Sequence, residues 1–151
     1  MAEAERLRII EITGSEEMDA AFAIRHEVFC VEQQVDEDEE FDGLDDACRH
    51  YLARLDGQPV GAARIRSLNA DEAKIERVAV LEDKRGYGVG QALMARTIAD
   101  VEQSKVKRIV VNAQTHAETF YASLGFVAEG GVFDEAGIPH VRMVRPCRDE
   151  N

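Results

Sequence analysis

Three glycines follow an arginine in Arg85-Gly-Tyr-Gly88-Val-Gly90, directly ahead of a segment whose apolar residues recur at helical intervals. A glycine-rich loop at a helix N-terminus presents backbone N–H groups that have no partner inside the helix, and the aligned peptide dipoles add partial positive charge there. Arg85 supplies a full positive charge, and Gly88 and Gly90 allow a pyrophosphate to approach the backbone. The sequence therefore predicts a diphosphate site over residues 85–90. The alternative is a turn that uses glycine only for its conformation.

The spacing of these glycines separates the loop from two common nucleotide-binding motifs. The dinucleotide fingerprint is Gly-x-Gly-x-x-Gly, whereas here the glycines stand at 86, 88 and 90, late in the chain and after strands predicted to be antiparallel. A Walker loop requires Gly-Lys-Ser/Thr, which does not follow Gly90. ATP and NAD are therefore disfavoured as ligands of the loop.

The elements that must position this loop are predicted from hydrophobic periodicity and turn residues. Runs rich in β-branched residues predict strands over 7–12, 50–55, 60–68, 73–80, 108–111, 126–133 and 140–144. Helical spacing predicts helices over about 16–31, after Gly90, and from a Thr115-x-x-Glu118 capping box to Gly125.

Two kinds of connection fix the predicted topology. Asp56-Gly57 and residues 69–72 supply tight turns, so strands 50–55, 60–68 and 73–80 should form an antiparallel meander. The glycine loop and its helix then join strand 73–80 to strand 108–111 in a right-handed βαβ unit, which makes those two strands parallel. The predicted fold class is α/β, of the α+β kind.

The acidic segment Asp36–Asp46 carries too much like charge to predict a regular element, so we expect a loop there. A solvated loop is the favoured interpretation, and a lid over a positively charged substrate is the alternative.

Composition limits the class of protein. At 151 residues and 16.8 kDa, with 45% hydrophobic residues, the chain has the size of one domain spanning 1–151. The net charge of −12 argues against nucleic acid or an anionic membrane as a partner, because both require a basic face. A cationic small substrate fits this charge, and solubility alone is the alternative explanation.

The termini and cysteines predict location and redox state. No apolar run approaches the roughly 20 residues needed to cross a bilayer, and Met1–Arg6 is polar, unlike a signal peptide. We therefore expect a cytoplasmic protein. Cys30, Cys48 and Cys147 are odd in number and widely spaced, which predicts reduced, mostly buried thiols, with neither disulfide nor metal site.

Several ordered segments carry a family resemblance. Val78-Ala-Val-Leu-Glu-Asp-Lys-Arg85-Gly-Tyr-Gly88-Val-Gly90 resembles motif A of the GNAT superfamily of N-acetyltransferases, and Ala117-Glu-Thr-Phe-Tyr121-Ala-Ser-Leu-Gly125-Phe126 resembles its motif B. Arg25-His-Glu-Val-Phe-Cys-Val-Glu32-Gln33 and Gly137-Ile-Pro-His140-Val-Arg-Met143 are similar to the ElaA-like branch. The resemblance implies a GNAT fold: a central mixed sheet of about seven strands, mostly antiparallel with one parallel pair, flanked by about four helices.

The resemblance also implies a reaction. A GNAT enzyme would move an acetyl group from acetyl-CoA to a primary amine of a small molecule or peptide, by direct attack in a ternary complex and without a metal. Homodimers are common among such enzymes. The alternative is a GNAT-like module that binds acetyl-CoA as a sensor or partner-binding domain, without turnover.

Roles for individual residues follow from the matched motifs. Residues Arg85, Gly86, Tyr87, Gly88, Val89 and Gly90 would hold the pyrophosphate of the coenzyme, and the backbone of Val78, Ala79 and Val80 would pair with its pantetheine arm. Many members have Asn where this chain has His116, so Asn112 or Gln114 would contact the pantetheine instead. Tyr121 matches the tyrosine that protonates or hydrogen-bonds the leaving sulfur; packing beside the coenzyme is the alternative.

Glu76 is the candidate general base. It lies two residues before Val78, and strand alternation would put it on the same face as Val78 and Val80. The alternative is a solvent-facing strand residue. Glu32, His50 and His140 are further candidates, each of them more typical of a structural hydrogen-bonding role.

Overall fold

A computed structural model describes residues 6–147. One sheet contains all the described strands, in the order β1-β2-β3-β4-β5-β8-β6, with β7 beside β8. Their bounds are β1 Leu7–Glu11, β2 Arg49–Leu55, β3 Gln58–Ser67, β4 Glu72–Val80, β5 Arg108–Gln114, β6 Val127–Ala128, β7 Phe133–Glu135 and β8 Ile138–Pro146. The α-helices are α1 Ser15–Arg25, α2 Glu37–Glu40, α3 Val89–Glu102 and α4 Glu118–Ser123.

The predicted topology is confirmed. Strands β2, β3 and β4 form an antiparallel meander, and β4 pairs with β5 in parallel across α3. The Asp56-Gly57 turn has φ of 50° and 82°, as a tight hairpin needs. No described helix between residues 6 and 147 combines the length and the apolar character needed to span a membrane.

Helices cover both faces of the sheet, because each presents one apolar stripe. On one face, Leu93, Met94, Ile98 and Val101 of α3 pack on Tyr51, Ile65 and Ile75. On the other face, Ala21 and Ile24 of α1, with Val28 beyond it, pack on Leu52, Ala62 and Ala79. The periodic residues of the two predicted helices are therefore the core.

The predicted helix over 16–31 has the expected extent but changes its winding. After Arg25 it continues as a π-helix over His26–Glu32, and the N–H of Gln33 donates to the Val28 carbonyl at 3.1 Å. Stretches of π-helix within α-helices occur frequently at functional sites. Here the π-helix brings Phe29, Glu32 and Gln33 to the cleft described below.

Two local predictions near the C-terminus are wrong. The predicted strand 126–133 is broken into β6 at Val127–Ala128 and the first residue of β7, Phe133, because Gly130, with φ of 84°, and Gly131 interrupt the extended chain. The predicted capping box also does not form: Thr115–Ala117 is a 3₁₀ turn, and α4 begins after it without a side-chain cap. Gly125 ends α4 as predicted, with φ of 93°.

The acidic segment is folded, contrary to the predicted solvated loop. Glu37–Glu40 forms α2, Asp45–Ala47 forms a 3₁₀ turn, and the carboxylate of Glu40 is buried. The segment can pack because arginine side chains from other parts of the protein pair with its inward-facing carboxylates. Arg25 bonds Glu40 and Asp45, and Arg64 bonds Asp42 and Asp45, at 2.7–3.1 Å.

Candidate active site

A cleft opens where the two parallel strands separate. Strands β4 and β5 pair only from Glu72 and Arg108 to Lys74 and Val110, after which β4 stays with β3 and β5 stays with β8. Among the strands between residues 6 and 147, none pairs with the β4 edge that faces β5 beyond Lys74. Its backbone can therefore pair with an extended ligand, as an added strand would.

The glycine loop closes one end of this cleft. Gly86 and Gly88 have φ of 89° and 79°, a region that favours glycine, and Gly88 is the N-cap of α3. The first N–H groups of α3 lack helical partners there. Val89 is buried under the loop. The Val89 side chain packs so closely on Gly61 that a Cβ at position 61 would lie only 2.9 Å from it. Val89 can therefore offer a ligand its amide but not its side chain, and the Tyr87 ring is exposed.

Arg85 is already engaged by the protein. Its guanidinium bonds both carboxylate oxygens of Glu32 at 2.6 and 2.7 Å, and it donates twice to the Val80 carbonyl at 2.9 and 3.1 Å. The hydrogen bonds from Arg85 lower the pKa of Glu32, which makes that carboxylate a poor base. Arg85 therefore ties the glycine loop to β4 and to the π-helix across the cleft.

Tyr121 lines the cleft from α4. Its ring lies between Phe120 and Phe126, with ring centroids at 5.2 and 5.9 Å in edge-on contact. Its hydroxyl makes no hydrogen bond to any residue in the described range 6–147. Burial raises the pKa of Tyr121 to about 12, so the group stays protonated at neutral pH.

The predicted placement of Glu76 is wrong, because β4 contains a β-bulge. Ala62 pairs with Ala79 and Arg64 with Glu76, so β4 carries one extra residue, and Arg77 there has φ of 56°. A bulge reverses the alternation of side chains. Val78 and Val80 pack on the α3 side, whereas Glu76 joins Arg64 on the α1 side.

Three cations surround the carboxylate of Glu76. Arg64 lies 2.6 Å from Oε2, while Arg66 and Lys74 lie 3.1 and 3.4 Å from Oε1. Burial alone would raise the pKa of Glu76, yet Lys74, Arg64 and Arg66 together bring it below its usual range. Glu76 is therefore neither solvent-facing nor a strong base.

His140 lies on the opposite wall of the cleft, on β8. Its Nδ1 is 2.7 Å from the Ile138 carbonyl, which can only accept, so Nδ1 carries the proton. In the neutral ring Nε2 then has the lone pair, and it lies 3.5 Å from Glu135. The ring is buried and stacks on Phe133.

The two predicted amide ligands also line the cleft but have protein partners. Asn112 donates to Glu135 at 3.3 Å, and Gln114 donates to Gln33 at 2.9 Å. The pair of glutamines joins the end of the π-helix to the end of β5. His116 is exposed and lines the cleft beside them.

The cleft has two adjoining cavities. The larger, of about 980 Å³, is lined by the β4 edge, the glycine loop and Tyr121. The smaller, of about 440 Å³, lies under the acidic segment and contains Arg66. Both cavities are bounded by Lys74, Glu76, Gln114, Glu135 and His140.

Some site residues were not predicted from the sequence. They are Arg66 on β3, Lys74 on β4 and Glu135 on β7. The only sequence signal for the first two is the density of charged residues on β3 and β4. The three cysteines are free, as predicted, but half-buried rather than mostly buried. Burial raises the pKa of each thiol, which disfavours a nucleophilic cysteine.

Comparison with known proteins agrees with this geometry. The family model for the acetyltransferase (GNAT) domain matches residues 13–146. Protein ElaA from Escherichia coli is 37% identical over 130 residues, covering 83% of this chain and 85% of ElaA. The ElaA crystal structure superposes with a TM-score of 0.81 over 94% of this chain and 99% of that one, at 31% identity.

Two further relatives extend the comparison. The uncharacterized N-acetyltransferase YjcF of Bacillus subtilis is 34% identical over 140 residues, covering 92% of this chain and 99% of YjcF. A GNAT family acetyltransferase from Elizabethkingia anophelis, solved with acetyl-CoA bound, shares the fold with a TM-score of 0.72 at 18% identity, over 93% and 97% of the two chains.

The separated parallel strands, with a glycine loop at one end of the opening, define a GNAT acetyltransferase domain, and the chain belongs to that family. Within the family it belongs to the ElaA-like branch.

Proposed function

We propose that this protein is an enzyme that transfers an acetyl group from acetyl-CoA to a primary amine. The observation that carries the proposal is the unpaired β4 edge that runs to the N-terminus of α3. A pantetheine arm pairing with Val78–Val80 would extend its diphosphate to the N–H groups of residues 86–90. The acetyl-CoA bound to the Elizabethkingia protein supports the same donor here.

In this proposal the coenzyme is held mainly by backbone groups. The glycine conformations expose the amides, and the helix dipole adds positive charge. Arg85 positions the loop through its hydrogen bonds to Val80 and Glu32. Asn112 and Gln114 would meet the pantetheine arm from β5. The chemistry then takes place near Val78 in the larger cavity, next to Glu76 and Arg77, which line both cavities.

Acetyl transfer needs a neutral amine, a stabilised oxyanion and a proton for sulfur. The amine nitrogen forms a C–N bond with the thioester carbonyl, and the C–S bond breaks. A β4 backbone N–H near Val78 faces the carbonyl oxygen. Tyr121 gives its proton to the departing sulfur, because it is protonated and its hydroxyl donates to no residue between 6 and 147; solvent then reprotonates Tyr121 and takes up the proton that His140 accepted.

We assign the general base to His140 rather than to Glu76. His140 lines both cavities, and its Nε2 lies 3.5 Å from Glu135, whose carboxylate would stabilise the imidazolium that forms. Glu76 keeps a positioning role, since three cations hold it. The proton lost by the amine therefore goes to His140.

Amine-dependent release of free thiol from acetyl-CoA tests the reaction, and Tyr121→Phe tests the proton donor. We expect the variant to lower kcat about 100-fold, with the KM for acetyl-CoA within about twofold, because the ring stays while its hydroxyl is removed. Unchanged kcat would remove Tyr121 from the chemistry. Tight binding of acetyl-CoA by the wild type, without thiol release for any amine, would indicate a binding module.

His140→Gln tests the base. We expect kcat/KM to fall about 100-fold at neutral pH, because only water then accepts the proton. His26→Gln is the matched control, since His26 is an exposed histidine paired with Glu37 outside both cavities. Unchanged kcat/KM in His140→Gln would place the base elsewhere.

A further inference from the structure

The smaller cavity borders a closed network of ion pairs that contains one more cation than anions. The cations are Arg25, Arg64, Arg66, Lys74 and Arg77, and the carboxylates are Glu40, Asp42, Asp45 and Glu76. Apart from a contact between Asp45 and His50, each pairs only within this set among the described residues. His50 also lies beside Asp45, and its pKa is lowered by burial, so it adds no charge at neutral pH. Within this set the cations outnumber the carboxylates by one, although Asp38, Glu39 and Glu135 also line the smaller cavity.

The cation in excess of the carboxylates is found at the pair Arg66 and Lys74. These two cations are directly opposite each other on β3 and β4, and they share the single carboxylate of Glu76, which is also bonded by Arg64. Like charges directly opposite across a strand pair are destabilising. A site that retains such a pair is suited to an anion that the protein itself does not supply.

Arg66 has donors available for that anion. Its Nε faces Glu76 at 3.1 and 3.4 Å, and its two terminal amino groups donate to no residue between 6 and 147. Arg66 lines the smaller cavity and Lys74 lines both. The terminal amino groups of a guanidinium match a carboxylate in a two-point contact.

The other acids around this cavity are placed differently. Asp38 and Glu39 are exposed at its outer rim, and Glu135 accepts from Asn112 and adjoins His140 on the opposite wall. The cavity thus has a cationic wall at Arg66 and Lys74, and a wall that accepts an amine at His140 and Glu135.

We infer that the acceptor is an amino acid or a similarly small amine that bears a carboxylate; this inference depends on the proposed acetyl transfer. The carboxylate binds Arg66 and Lys74, and the amine faces His140 and the thioester. One surplus charge matches one carboxylate better than a doubly charged phosphate. The products are then an N-acetyl amino acid and free coenzyme. The acceptor is zwitterionic, and not the cationic substrate that the net charge suggested.

The test compares acceptors in matched sets. Amino acids from each side-chain class are assayed beside the amine that lacks the carboxylate and beside the methyl ester, with thiol release measured at saturating acetyl-CoA. Amines that carry a phosphate in place of the carboxylate form a further arm. We expect kcat/KM for at least one amino acid to exceed that of its uncharged partners by about 100-fold, because the site would otherwise leave its donors unpaired.

Variants of Arg66 locate the contact. We expect Arg66→Gln to raise the KM for the amino acid about 30-fold, while the KM for acetyl-CoA stays constant. The KM of Arg66→Lys for the amino acid should lie between those of the wild type and Arg66→Gln, because lysine keeps the charge and loses the two-point contact. Arg8→Gln on β1 is the control for net charge, since Arg8 is exposed and lines neither cavity.

The outcomes separate this inference from the proposed function. If amines without a carboxylate, or those with a phosphate, are the better acceptors, the acceptor class is wrong and acetyl transfer stands. If the preference for amino acids persists in Arg66→Gln with unchanged KM, the assignment to Arg66 is wrong. If no amine of any set releases thiol, the proposed function itself fails.

Discussion

Replacing Arg64 with glutamine should lower the free energy of unfolding by about 3–5 kcal/mol, because removing one member of a buried ion network leaves its partners as uncompensated charges. Arg64 has no exposed surface and bonds Asp42, Asp45 and Glu76. Burial would raise the pKa of Asp42, but Arg64 and the N–H of Leu44 hold it well below its usual range. Without Arg64, that stabilisation of the charged carboxylate is mostly lost.

Urea denaturation followed by circular dichroism measures this change, with Arg49→Gln as control. Arg49 also pairs with a carboxylate, that of Glu11, at 2.8 Å, but both groups are substantially exposed. Such a pair contributes only about 0–1 kcal/mol. Equal destabilisation in the two variants would show that the buried network contributes no more to stability than an exposed ion pair.

Replacing Gly88 with valine should weaken coenzyme A binding about 1,000-fold or more, which corresponds to roughly 4 kcal/mol. Two effects combine. A β-branched residue is strained at φ of 79°, and its side chain would occupy the space through which a diphosphate reaches the α3 amides. Isothermal titration with coenzyme A gives the affinity directly.

Gly57→Val separates backbone strain from lost binding. Gly57 has φ of 82° in the β2–β3 turn, and a Cβ there, as at Gly88, would meet no atom within 4 Å. We expect both variants to lose stability, but only Gly88→Val to lose the coenzyme. Retained affinity in Gly88→Val would mean that the diphosphate does not bind this loop, and the proposed function would then lack its donor site.

Sequence patterns predicted the parts of the fold that depend on neighbouring residues. Periodicity located α1 and α3, and Asp56-Gly57 located a turn, because propensity and pattern act within a few positions of the chain. The parallel pairing of β4 and β5 followed from the handedness of a βαβ connection. The family motifs likewise led to the glycine loop and to Tyr121, whose roles stay predictions.

The features that were missed depend on contacts between distant segments. The acidic segment folds because Arg25 and Arg64 neutralise it, and nothing within 36–46 indicates those partners. Glu76 was placed on the wrong face because one bulged residue on β4 cannot be recognised from alternation alone. The acceptor wall, with Arg66 on β3 and His140 on β8, forms only when the sheet is complete.

In the proposed reaction, the bulge on β4 would let a single strand contact both the acceptor and acetyl-CoA. Before it, even-numbered residues Lys74 and Glu76 point to the acceptor side; after it, even-numbered residues Val78 and Val80 point to the α3 side. Deleting one residue there would restore a regular strand and turn one half of it over relative to the other. In the proposed reaction, the extra residue would therefore let one continuous strand present charged side chains to the acceptor and its free backbone edge to acetyl-CoA.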